Sequence, residues 1–167
     1  NDPIGKSFEQ ATESINLTGT LALAAKAKSA HVGRFVLASS CSVYGAAAEE
    51  MVDESGSLNP LTAYARSKVD SEQQLAKLAD DSFQVSCLRF GTACGYAPRT
   101  RLDLVVNDFV ASSIANKEIY LLSSGNAWRP FIHVEDMARA IDWALHRDGV
   151  AIEVVNIGSA AMTLRVN

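Results

Sequence analysis

A tyrosine and a lysine four residues apart, Tyr64 and Lys68 in Thr62-Ala63-Tyr64-Ala65-Arg66-Ser67-Lys68, could move protons if a helix carries them. Residues i and i+4 share one helix face, so the ammonium can stand beside the phenol. A phenol titrates near 10, and drawing it to about 7 takes roughly 4 kcal/mol of selective stabilisation of the phenolate. A cation about 4 Å away, at an effective dielectric of about 20, supplies a term of that size. The positive end of the helix macrodipole adds to it. Tyr64 could then act as an acid or base near neutral pH. As a bare pattern the pair is weak: with four tyrosines in 167 residues, a Tyr-x-x-x-Lys arises by chance in about one such chain in seven. The elements around it must supply the specificity.

Those elements alternate. Residues 16–30 read as a helix with Leu17, Leu21 and Ala24 or Ala25 at helical spacing and Lys26 and Lys28 near its C-terminal end. Residues 34–38 read as a strand whose carboxyl end delivers Ser39, Ser40, Cys41 and Ser42. Residues 46–60 are small, acidic or turn-forming and read as a loop. The Tyr64 helix should run to about Leu78, followed by a strand over 84–90 that ends at Gly91, Thr92 and the Gly95 turn. Further on, Val106, Val110 and Ile114 predict a helix, 119–122 a short strand, 123–126 a turn, and 131–133 an extended piece. Met137, Ile141 and Leu145 form the stripe of a last helix before a strand over 151–157. Such alternation predicts an α/β fold with a parallel sheet covered on both faces. Ligands in these sheets bind beyond the carboxyl ends of the strands, where Ser40, Thr92 and the start of the Tyr64 helix all fall.

Composition narrows the classes. At 48% hydrophobic the chain can bury a core. No apolar run reaches the roughly 18 residues of a membrane span, and a net charge of -4 with interspersed signs gives no field for nucleic acid. Cys41, Cys87 and Cys94 lack paired metal-ligand spacing and read as reduced thiols of a cytoplasmic protein, with no metal site. A small molecule is the expected partner.

Four ordered motifs carry a resemblance: Ser39-Ser40-Cys41-Ser42-Val43-Tyr44-Gly45, Pro60 to Lys68, Leu88-Arg89-Phe90, and Arg129-Pro130-Phe131-Ile132-His133-Val134-Glu135-Asp136. Together they resemble the extended short-chain dehydrogenase/reductase superfamily, and within it the NAD-dependent nucleotide-sugar epimerase/dehydratase group, over nearly the whole chain. The resemblance implies a Rossmann-type doubly wound parallel sheet, here incomplete. The N-terminal βαβ half, with the glycine-rich dinucleotide fingerprint, and the C-terminal end are expected to lie outside residues 1–167. Alone, this segment is expected to bind cofactor poorly. Residues 96–130 and 158–167 are expected to contribute to a substrate-binding region.

The resemblance also implies roles. Ser40, Tyr64 and Lys68 match the catalytic set: a hydroxyl on the reacting sugar oxygen, the general acid/base, and the cation that holds the nicotinamide ribose and depresses the phenol. Asn16, Ser39 and Phe90, with Tyr64 and Lys68, are expected at the cofactor. Ser40, Cys41, Ser42, Thr92, Asn107 and Arg129 are expected at the nucleotide sugar, Arg129 through its guanidinium fork on the diphosphate. The implied reaction is transient oxidation of a sugar hydroxyl by NAD, with NADP left open, then return of the hydride to the other face. Cys41 and Ser42 stand where the 4,6-dehydratases of this group carry an Asp-Glu pair, which favours epimerisation or keto-sugar reduction over dehydration. A non-catalytic dinucleotide-binding relative is the alternative from another class. The loop bearing Arg99 and Arg101 is a candidate phosphate contact beside the simpler reading of solvated charges. His133 reads as a structural residue. A homodimer through the helices at 16–30 and 64–78 is implied by the resemblance alone.

Overall fold

The computed structural model describes residues 8–45, 52–121, 128–147 and 149–164. Its centre is β2 (Gln84–Phe90), a strand buried along nearly its whole length because both of its faces are covered. Strand β1 (Arg34–Ser40) pairs with it in parallel on one side and β5 (Ile152–Ile157) on the other, with Ala38 opposite Leu88 and Leu88 opposite Val155. Val85 and Cys87 point to one face, where they pack with Leu37, Ala24, Leu75 and Phe83. Leu88 and Phe90 point to the other, where they pack with Ile132 and Ala144. A parallel strand covered on both sides reads as a largely apolar run, which is how 84–90 reads apart from Gln84, Ser86 and Arg89.

The first face is covered by two helical stretches. One comprises α1 (Glu9–Glu13), a π-helical segment Ser14–Gly19, and α2 (Thr20–Ser29), which begins where the π turns end. The other is α3 (Ala63–Leu78), which carries Tyr64 and Lys68. Thr62 caps α3: its Oγ1 accepts a hydrogen bond from the Ala65 amide at 3.1 Å, which places Tyr64 in the first turn. The second face is covered by α5 (Val134–His146), capped by His133, whose Nδ1 accepts from the Glu135 amide at 3.3 Å. His133 is the structural residue that the sequence implies.

Beyond β2 the chain forms β3 (Thr92–Cys94), then α4 (Val105–Asn116), then β4 (Arg129–His133). Strand β4 pairs in parallel with β3 and antiparallel with β6 (Thr163–Leu164), making a second small sheet.

Several expectations need correction. Ser39 and Ser40 belong to β1 itself, and the strand ends at Ser40 because Cys41–Tyr44 wind into one 3-10 turn. Thr92 lies in a strand rather than a turn. Residues 119–121 form no strand; the turn expected at 123–126 lies outside the described residues. The buried stripe of α5 is Met137, Ala140 and Ala144, not Met137, Ile141 and Leu145. The helix therefore faces its sheet with small residues, which allow close approach, and leaves Ile141 and Leu145 toward solvent. In α4, Val110 and Ile114 are exposed as well.

Candidate active site

At the carboxyl end of β1 the sequence Ser40-Cys41-Ser42 leaves extended geometry. Ser40 Oγ accepts from the Ser42 amide at 3.2 Å and so starts the 3-10 turn that Gly45 ends. Gly45 has φ of +69°, and a Cβ there would stand 2.2 Å from the Asn59 carbonyl oxygen, so glycine alone fits. The Asn59 amide returns a hydrogen bond to the Val43 carbonyl at 2.9 Å. Val43 and Tyr44 are buried and pack on Val69 of α3. The strand tip and the Tyr64 helix are thus fastened together by an apolar contact on the turn that follows Ser40.

On α3, the Lys68 ammonium stands 5.5 Å from the centroid of the Tyr64 ring, within reach of a cation–π attraction. Burial pushes the Lys68 ammonium below its ordinary titration, while the Glu72 carboxylate one turn further on holds it up. The pair expected from spacing therefore forms. In the loop before α4, Arg101 donates to Asp103 at 2.7 Å from Nε and 2.5 Å from the terminal nitrogen, and these bonds raise its guanidinium, with Tyr64 a minor contributor. The Asn107 amide donates to the Arg101 carbonyl at 3.0 Å and anchors this loop.

The remaining expected residues are distributed as follows. Asn16 lies in the π-helical segment, and its carbonyl accepts from Ser71 on α3 at 3.2 Å. Such bulges re-aim side chains and recur at functional positions. Ser39 is buried and its hydroxyl donates to Glu72 at 2.5 Å. The Cys41 thiol donates to the Arg89 carbonyl at 3.2 Å, and burial pushes it up to about 11, so it stays protonated near neutrality. The Ser42 hydroxyl oxygen is buried without a hydrogen-bond partner, the condition of a group made to receive one from elsewhere. Phe90 is a core residue between β2 and α5. Thr92 sits opposite Phe131 in the second sheet, and Arg129 is exposed on β4. Ser39 and Asn16 bond to α3, the helix of Tyr64 and Lys68, through Glu72 and Ser71, whereas Thr92 and Arg129 lie on the other sheet.

Four residues absent from the expected set underlie this neighbourhood. Glu72 and Arg89 form a buried ion pair at 2.6 Å. Arg89 also donates to the Tyr44 hydroxyl at 2.7 Å, and that hydroxyl donates to Asn156 Oδ1 at 2.7 Å. Burial works against the Arg89 charge, but the bonds from Glu72 and Tyr44 outweigh it and raise the guanidinium. One signal was available: an arginine inside an apolar strand demands a buried carboxylate. A separate cleft lined by Arg34, Gln84, Arg147 and Glu153 lies at the amino ends of the strands. It also holds Ser86, whose hydroxyl donates to Glu153 at 2.7 Å, but the cleft lies away from the carboxyl ends of the strands, where ligands of parallel sheets bind.

With this geometry in view, comparison with known proteins becomes informative. The profile of the NAD dependent epimerase/dehydratase family matches residues 3–158. The chain belongs to that family. Among curated relatives it is 28% identical to the UDP-glucuronate 4-epimerase of Thermodesulfobacterium geofontis, over 91% of this chain and 46% of that protein. It is 29% identical to human dTDP-D-glucose 4,6-dehydratase, over 87% of this chain and 41% of that one. Among solved structures, MoeE5 in complex with UDP-glucuronic acid and NAD superposes with a TM-score of 0.75 at 31% identity, covering 86% of this chain and 48% of that one. The chain spans about half the length of the relatives it matches. The fold is the Rossmann type of this family.

Proposed function

We propose that the protein of which this chain forms the catalytic portion is an NAD-dependent nucleotide-sugar epimerase. The observation that carries this reading is the Lys68 ammonium 5.5 Å from the Tyr64 ring, on a helix fastened to the tip of β1. Family membership supports it, as do relatives named as 4-epimerases of UDP-sugars.

The residues present fit a nicotinamide cofactor: a half-buried ammonium and a phenol in the first turn of a helix, at the carboxyl edge of a parallel sheet. Tyr64 and Lys68 would hold it, with Asn16, Ser39 and Phe90 nearby. Bound NAD supplies the acceptor, and later the donor, of a hydride. Tyr64 takes the proton of a sugar hydroxyl and returns it at the end. Lys68 stabilises the phenolate form that does so. Ser40 donates to the reacting sugar oxygen, and Ser42 is assigned to the same sugar. Arg129 and Asn107 are assigned to the diphosphate end, and 96–130 with 158–167 to the substrate-binding region.

Cys41 and Ser42 favour epimerisation over dehydration, because a thiol pushed up to about 11 and a neutral hydroxyl are poor groups for eliminating water. Reduction of a nucleotide keto-sugar is the second reading, and the same residues would serve it. A cytoplasmic homodimer is part of the proposal. Three free thiols suit a reducing compartment, and exposed Ile15 and Leu23 offer a helical face.

The test is to incubate the intact protein with a panel of nucleotide sugars, following nicotinamide absorbance and product stereochemistry. Epimer formation without net consumption of cofactor is expected. Net oxidation or reduction of every sugar that turns over would replace the epimerase by a reductase.

A further inference from the structure

Ser39 on β1, Arg89 on β2 and Asn156 on β5 are register partners, so one polar row crosses the sheet just before the tips at Ser40, Phe90 and Ile157. The row converges on Glu72 of α3. Glu72 accepts from the Ser39 hydroxyl at 2.5 Å, from Arg89 Nε at 3.0 Å and from the Arg89 terminal nitrogen at 2.6 Å. Through Arg89 and Tyr44 it is joined to Asn156, whose side-chain amide donates to the Val52 carbonyl at 3.1 Å.

Both members of the ion pair have side chains only 5% exposed. A buried pair is a poor source of stability, since apolar residues of the same shape serve as well or better. Its placement is more telling than its energy. Glu72 is one turn beyond Lys68 and two beyond Tyr64, on the same helix face. Its partners immediately precede the strand tips where Ser40 and Phe90 stand.

We propose that Glu72 is a positioning residue for the proton-transfer pair: by accepting from Ser39 and Arg89 it sets α3 against the tips of β1 and β2, and it stands one turn from Lys68 as its counter-charge. This rests on the reading of Tyr64 as the acid/base. The groups around the pair are Glu72 on α3, Cys87 and Arg89 on β2, and Arg101 in the loop before α4. Burial pushes Cys87 up to about 12, so it is a neutral thiol at working pH. Glu72 is then the anion opposing the burial that lowers Lys68.

The experiment titrates Lys68 by NMR of carbon-labelled lysine in the intact protein, and measures turnover against pH, for wild type, Glu72→Gln, Glu72→Asp and Glu72→Gln/Arg89→Met. The double variant removes both members of the buried ion pair, so it avoids the uncompensated Arg89 charge that the single variant leaves and tests the role even where Glu72→Gln alone fails to fold. Loss of the anion moves the Lys68 titration, and the alkaline limb of turnover with it, to lower pH in both Gln variants. Turnover at neutral pH falls by roughly ten- to a hundredfold as the pair loses its setting. Glu72→Asp keeps the charge and returns the Lys68 titration toward wild type. An unmoved Lys68 titration, in a protein that Tyr64→Phe inactivates, would overturn the role of Glu72 alone. Full turnover by Tyr64→Phe would overturn the acid/base reading and this role with it.

Discussion

Lys68 shows the conflict that the proposed proton-transfer site imposes on a single residue. The ammonium is partly buried, and burial lowers its titration from the ordinary 10.5. A cation lowered in this way costs stability at every pH below its folded titration point, and the cost fades as pH rises through that point to the unfolded value. Lys68→Met should therefore unfold at a higher temperature than wild type at pH 7, with the gap narrowing on the alkaline side. Thermal melts across that range check it, and a pH-independent gap would show that Lys68 carries no burial penalty. Activity should be lost in the same variant, because the phenolate of Tyr64 loses its cation. At this scale the sequence was informative where chemistry is local. The Tyr64–Lys68 contact follows from i,i+4 spacing. Glu72 and Arg89 were harder to see because seventeen residues separate them and only folding of α3 onto β2 brings them together.

Among the elements, α3 decides whether the site exists. Its cap at Thr62 fixes where the helix starts, and hence that Tyr64 stands in the first turn, where the helix dipole favours a negative phenolate. Thr62→Ala should cost about 1 kcal/mol of stability in urea unfolding. It should also lower turnover, with Thr62→Ser restoring both; a variant that loses stability but no turnover would separate the cap from the site. The limits of α3 and β2 were legible: the sequence ends the Tyr64 helix at about Leu78 and puts the strand over 84–90, as the structure has them. The face of α5 was not. Periodicity selected the bulky Ile141 and Leu145, whereas the sheet receives Ala140 and Ala144. Spacing identifies candidate stripes, but close helix–sheet packing can favour the smaller side chains. The strand expected over 119–122 does not form over 119–121.

For the whole molecule, the parallel order β1-β2-β5 with helices on both faces places the β1 tip and the start of α3 at one edge. No helix among the described residues is long and apolar enough to cross a membrane. The two sheets hold different parts of the proposed site: α3, packed on the β1-β2-β5 sheet, bears Tyr64 and Lys68, and the β3-β4-β6 sheet bears Thr92 and Arg129, which the proposal gives to substrate. The central claim is that Tyr64 moves the proton. The direct measurement is the turnover of Tyr64→Phe in the intact protein on a nucleotide sugar that wild type converts, alongside calorimetric binding of the same sugar. The account predicts turnover reduced by about a hundred- to ten-thousandfold with binding retained; turnover equal to wild type would contradict it.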